Sequence, residues 1–130
     1  MYNIQKIREG FRLTFSGTIE APEMKKWVED SKKALMAAPP KFGVFVDMRD
    51  FKPLKPDSQA VMEEGQKMYK MKGMTRSVVI LASAIQTIQF KRIAKETGIY
   101  EWERYIDCTK TANWEKVGLD WIDKGIDPDA

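Results

Sequence analysis

An α/β fold on one mixed sheet follows from three features of this chain. An alternating hairpin pattern opens it, nearly continuous apolar strands then alternate with amphipathic helices, and no linker or low-complexity tract interrupts them. Strand–helix–strand repeats require parallel pairing with right-handed crossovers. An antiparallel hairpin in front makes the sheet mixed. The expected order is ββαβαβαβα: a hairpin, then parallel β-α repeats, with four helices covering the sheet.

Each element has its own signal. Phe11, Leu13 and Phe15 alternate with Arg12, Thr14 and Ser16, and the period of two extends to Ile19. Tyr2, Ile4 and Ile7 suggest the partner strand, with a turn at Glu9-Gly10. Pro22 suits a first helical turn. Met24, Trp27, Val28 and Leu35 share one helical face until Pro39-Pro40 stops the helix. Phe42 to Met48 reads as a strand covered on both faces. After Pro53 and Pro56, Asp57 or Ser58 can cap a helix that buries Val61, Met62, Met68 and Tyr69 and ends at Gly73. Ser77 to Ala84 is the second buried strand. Ile85, Ile88 and Ile93 belong to the third helix, which closes at Gly98. Arg104 to Cys108 is a shorter strand. Thr111 or Asn113 caps the last helix, with Trp114, Val117, Trp121 and Ile122 on its inner side. Residues 1–125 form a single domain, and 126–130 are expected to fray.

Composition narrows the chemistry. The 130 residues fit one domain, and 43% hydrophobic with 32% charged residues is the balance of a soluble globular protein. There is no histidine and one cysteine, so most side-chain chemistry at neutral pH and any internal disulfide are missing. No stretch approaches the ~20 apolar residues of a membrane span, and no apolar leader opens the chain, so a cytoplasmic location without a transmembrane segment is expected. The net charge of +3 is spread along the chain. Lys67, Lys70, Lys72 and Arg76 form the densest basic group and read as a solvated helix end, so no nucleic-acid partner is expected.

Three stretches carry a resemblance: Gly17-Thr18-Ile19-Glu20-Ala21, Phe45 to Phe51, and Glu103 to Cys108 followed by Asn113-Trp114-Glu115. They resemble the STAS domain of bacterial anti-sigma-factor antagonists, in its SpoIIAA-like branch, which is distantly similar in fold to the CRAL-TRIO lipid-binding domain. The resemblance implies a regulatory, non-enzymatic domain. It also implies a phosphorylation switch at the start of the helix after the Asp-ended strand, where Asp57-Ser58 stands, with Gln59 in place of the usual glycine. A phosphate on Ser58 would lie at a helix N-terminus, where negative charge is favoured. Capping by Asp57 and Ser58 accounts for the same residues.

The remaining candidates are weaker. Asp47 and Asp50 lie at the carboxyl end of a strand, where open α/β sheets bind ligands. With no histidine and no third acid at diagnostic spacing, neither catalysis nor a metal is expected of them. Cys108 lacks a base to activate it and reads as a structural thiol. No GxGxxG, P-loop or CxxC is present, and no cofactor is expected. The loop from Asp50 through Phe51, Leu54 and Asp57 to Ser58 carries exposed-looking apolar residues, which marks it as an interaction surface. The expected partner is another protein or a second copy in a homodimer. A small apolar, lipid-like ligand beneath the helices is the alternative.

Overall fold

The computed structural model describes residues 1–130. Strands β1 (Tyr2–Ile7) and β2 (Gly10–Gly17) form the antiparallel hairpin, joined by Arg8-Glu9. Then follow α1 (Ala21–Leu35), β3 (Phe42–Phe51), α2 (Pro56–Lys72), β4 (Met74–Leu81), α3 (Ala84–Thr97), a 3-10 turn (Ile99–Glu101), β5 (Glu103–Asp107) and α4 (Trp114–Lys124). The sheet runs β1-β2-β3-β4-β5, and every pairing after the first is parallel. Each crossover advances one strand in the same direction. Right-handedness therefore places α1, α2 and α3 on one face. The last helix, α4, covers the other.

This layering explains the apolar runs of β3 and β4, because successive side chains enter opposite cores. Val44, Val46, Met48, Val79 and Leu81 join Met24, Trp27, Met62 and Tyr69 on the three-helix face. Phe45, Val78, Ile80 and Ile106 meet Trp121 and Ile122 of α4. The Trp121 Nε1–H donates to the Ser77 carbonyl at 2.9 Å, fastening α4 to β4. Trp102 lies under Lys70, whose ammonium is 4.2 Å from its ring centre. Arg76 lies over Trp121 on the opposite face, so the basic group near Lys70 is divided between two layers.

Several strand boundaries differ from expectation: β4 begins at Met74 instead of Ser77, and β5 runs one residue earlier than Arg104 to Cys108. β3 continues past Met48 to Phe51, because Gly17 pairs with Phe51 and carries the ladder on. β4 stops at Leu81, because Ser83 turns the chain into α3 and accepts the Gln86 N–H at 3.2 Å. Residues 126–130, expected to fray, carry two carboxylates that hold them. Asp127 takes two hydrogen bonds from Arg104, at 2.8 and 3.1 Å. Asp129 accepts from Lys91 at 3.0 Å and from the Tyr100 hydroxyl at 2.5 Å. The Arg104 guanidinium is in turn sandwiched between the rings of Tyr100 and Trp121, at 3.8 and 4.3 Å. No helix is long and apolar enough to cross a membrane.

Candidate functional site

The stretch from Asp50 to Ser58 divides by side. Asp50, Lys52, Pro53, Lys55 and Asp57 are exposed. Phe51 and Leu54, expected on the surface, are half-buried against the three-helix core, with the Phe51 ring 5.7 Å from that of Phe15. Phe51 closes β3 instead of sitting in a loop. Strict alternation from Met48 would turn its ring to the α4 side, but β3 holds one extra residue between its pairings Thr14–Asp47 and Ser16–Asp50, and this bulge brings Phe51 back to the three-helix face. The helix itself starts at Pro56, and its N-cap, Lys55, makes no side-chain cap. Proline at the first position supplies a helical φ and lacks the N–H that a cap would satisfy. Ser58 is consequently inside the first turn and not the cap. Its N–H donates to Asp57 Oδ1 at 2.9 Å, while its hydroxyl is fully buried without a protein partner. A phosphoryl group could reach that oxygen only if the first turn of α2 opened.

Asp47 is bound into an ion network on the α4 face. It is 4% exposed and sits between Arg49, at 2.9 and 3.0 Å, and Arg12, at 3.4 Å. Arg12 also pairs with Glu115 of α4 at 2.7 Å, and Arg49 lies 4.3 Å over the Trp114 ring. Burial pushes the Asp47 carboxyl up. Hydrogen bonds from the Arg49 side chain and backbone, with the charges of Arg49 and Arg12, outweigh it and hold the group below its ordinary value. Asp47 is thus a committed anion whose lone pairs are taken, and Asp50 stands apart from it, exposed. Cys108 is half-buried at the edge of the same layer.

Asp107, at the end of β5, is also buried and accepts from the Thr109 N–H and hydroxyl at 2.9 and 2.6 Å. Glu103, at the start of β5, is half-buried. It accepts from the Ser77 hydroxyl at 2.6 Å and the Tyr105 hydroxyl at 2.5 Å. Burial raises its carboxyl, and the two hydrogen bonds only partly offset that.

The least expected feature is α3. Toward the sheet it presents Thr87 and Ala94, its two buried residues. Ile85 is 70% exposed, Ile88 66% and Ile93 49%. Ile85 and Ile88 are i, i+3 neighbours, while Ile93 is separated from them by Gln89 and Arg92 and neighbours Phe90 at i−3, so the exposed apolar groups line the outer side of α3 with polar residues between them. Phe90 lies at its margin, its ring edge-on to Tyr105 at 5.9 Å. The residues that face inward are small. Hydrophobicity alone puts the isoleucines inside, whereas Thr87 and Ala94 take the two buried positions.

A five-stranded mixed sheet opened by an antiparallel hairpin, with three crossover helices on one face and a closing helix on the other, is the SpoIIAA-like fold of STAS-type domains. Among solved structures, the chain is similar to an uncharacterized protein of the DUF3478 family with a SpoIIAA-like fold from Shewanella loihica. The likeness covers 88% of this chain and 91% of that one, with a TM-score of 0.62 at 12% identity. No family model and no curated protein matches the chain.

Proposed function

We propose that the chain is a non-enzymatic regulatory domain of STAS type that works by capturing another protein on the outer face of α3. The observation that carries this reading is the exposure of Ile85, Ile88 and Ile93 on one side of α3, with Ile85 beside Ile88. Exposed apolar groups gathered on one side mark interaction sites on soluble domains. Exposed Arg92, Lys95 and Glu96 surround them with a net positive charge, so the fitting partner presents an apolar groove with a mainly acidic rim. Two of the acidic groups fit the same reading, since Asp47 is neutralised by two arginines and Glu103 is occupied by two hydroxyls.

The test is Ile85→Ser combined with Ile88→Ser. Neither side chain is in the core, so the melting temperature should hold, within the ~0.5 kcal/mol of ordinary surface changes. A partner isolated from the native host and purified should bind the variant at least about tenfold more weakly, with added salt weakening the wild-type complex further. Unchanged affinity would reject α3 as the recognition face. Native mass spectrometry of protein from its own host separates the carrier alternative: a bound apolar molecule lost on denaturation would favour a lipid-like cargo beneath the helices.

A further inference from the structure

The far edge of the sheet is a second open surface. β1 is an edge strand, paired with β2 only. The Ser16 N–H donates to the Met1 carbonyl at 2.9 Å, which makes Met1–Ser16 a hydrogen-bonded pair. Alternation along an antiparallel ladder then turns the backbone groups of Asn3, Gln5 and Ile7 toward β2. The N–H and C=O groups of Tyr2, Ile4 and Lys6 point outward, to the open edge.

The side chains of the same three residues face the three-helix side, since they oppose Phe15, Leu13 and Phe11 across the ladder. A groove of about 510 Å³ runs beside them, lined by Tyr2, Asn3, Ile4, Asp30 and Ala34. The Asp30 carboxylate reaches the Tyr2 hydroxyl at 2.5 Å, so a negative charge sits at the Tyr2 end of the groove. Lys6 is exposed at the other end.

We infer that β1 pairs with β1 of a second copy, antiparallel about a two-fold axis at Ile4, to make one continuous sheet. That register is the only one in which all three outward residues pair: Tyr2 with Lys6 of the second copy, Ile4 with Ile4, and Lys6 with Tyr2. It brings Lys6 of each chain beside Tyr2 of the other, on the same face and next to Asp30. A lysine on an edge strand normally discourages pairing. Here two copies of one sequence supply the compensating charge to each other, as a two-fold interface requires. Ile4 and Tyr2 of both chains fill the groove between the two α1 helices.

Sedimentation equilibrium from micromolar to millimolar concentration is the test. Wild-type chain should dimerise, and hydrogen exchange should find the outward amides of Ile4 and Lys6 protected in the dimer. Lys6→Pro removes an outward donor without touching the β1–β2 ladder and should yield a folded monomer. Lys6→Asp and Asp30→Lys should each weaken the dimer at least about tenfold, and the two together should restore it. The charge exchange decides the matter should the proline variant not fold. A wild type monomeric throughout would overturn the inference. So would free exchange of the Ile4 amide in a dimer, or a dimer dissolved by Ile85→Ser with Ile88→Ser but not by the edge variants. An edge that takes up only an extended peptide of another sequence would overturn it too. The α3 experiment reads a different surface, so either result can fail alone.

Discussion

Gly65→Ala puts the packing of α1 on α2 to a quantitative test. Alanine is the better helix former, and in an exposed helix the change would gain about 1 kcal/mol. In this helix the new methyl would lie 2.2 Å from Trp27 Cζ3 and 2.6 Å from Cη2. Contact needs more than a further 1 Å, so the indole or a helix must move. The indole has no free space: Trp27 is 1% exposed, stacked on Tyr69 at 5.9 Å and edge-on to Phe15 at 5.2 Å. Tyr69 is itself held by the Ser31 hydroxyl at 2.8 Å. Overpacking of a filled core costs roughly 1–3 kcal/mol, with the upper half of that range apt for a clash against a rigid ring. The clash therefore outweighs the propensity gain by about 1–2 kcal/mol. For a chain of this size that lowers the melting temperature by roughly 3–8 °C. Calorimetry and urea titration would measure it. Trp27→Phe removes the clashing ring, so adding Gly65→Ala to it should cost nothing and give a coupling of about 1 kcal/mol or more. A Gly65→Ala variant as stable as wild type would refute the reasoning.

Two further changes separate the roles of buried groups. The folded state raises the Glu103 carboxyl, so it holds that proton more tightly than the unfolded chain does. This group's stabilising contribution is complete below the ordinary glutamate range and is lost as pH rises through the raised folded value. Glu103→Gln keeps both hydroxyl partners and removes that loss. Urea midpoints measured from mildly acidic to neutral pH should fall less steeply in the variant, with higher neutral stability, by ~1.4 kcal/mol for each tenfold difference in proton affinity between the folded and unfolded chain; parallel curves would refute it. Phe51→Ala with Leu54→Ala should lower stability by roughly 2.5–5 kcal/mol in a urea titration, about half the cost of emptying two fully buried sites. A melting temperature unchanged from wild type would return these residues to the surface.

The fold was legible because its signals are redundant. The hairpin's period of two, the unbroken apolar runs of β3 and β4, and the Pro and Gly stops all point to one topology, as in sequences whose local and global preferences agree. The site was less legible, for two physical reasons. Distance along the strand did not say which way Phe51 points, because a one-residue bulge after Asp47 breaks the alternation of β3. Ser58 and Asp57 looked like caps because residue type alone favours them, but Pro56 had already begun the helix. The α3 face was hidden by the rule that isoleucine goes inside. That rule gives way on α3, where threonine and alanine take the buried positions and the isoleucines are left outside.

The two proposed surfaces lie at opposite ends of the same sheet. β1 is one edge of the five-stranded order, and α3 packs beside β5 at the other. Pairing through β1 therefore leaves both α3 faces uncovered, at the outer ends of a ten-stranded sheet. A dimer of this kind is bivalent without any change of shape. It holds two identical recognition faces at a fixed separation, and a partner with two matching grooves would gain effective concentration from the second contact. The edge variants would then lower apparent affinity for such a bivalent partner while leaving the affinity of one α3 face unchanged, whereas the isoleucine variants would lower both. Regulation through assembly then needs no chemistry at Ser58. The concentration of the chain, set against its dimer constant, is enough to decide how tightly the partner is held.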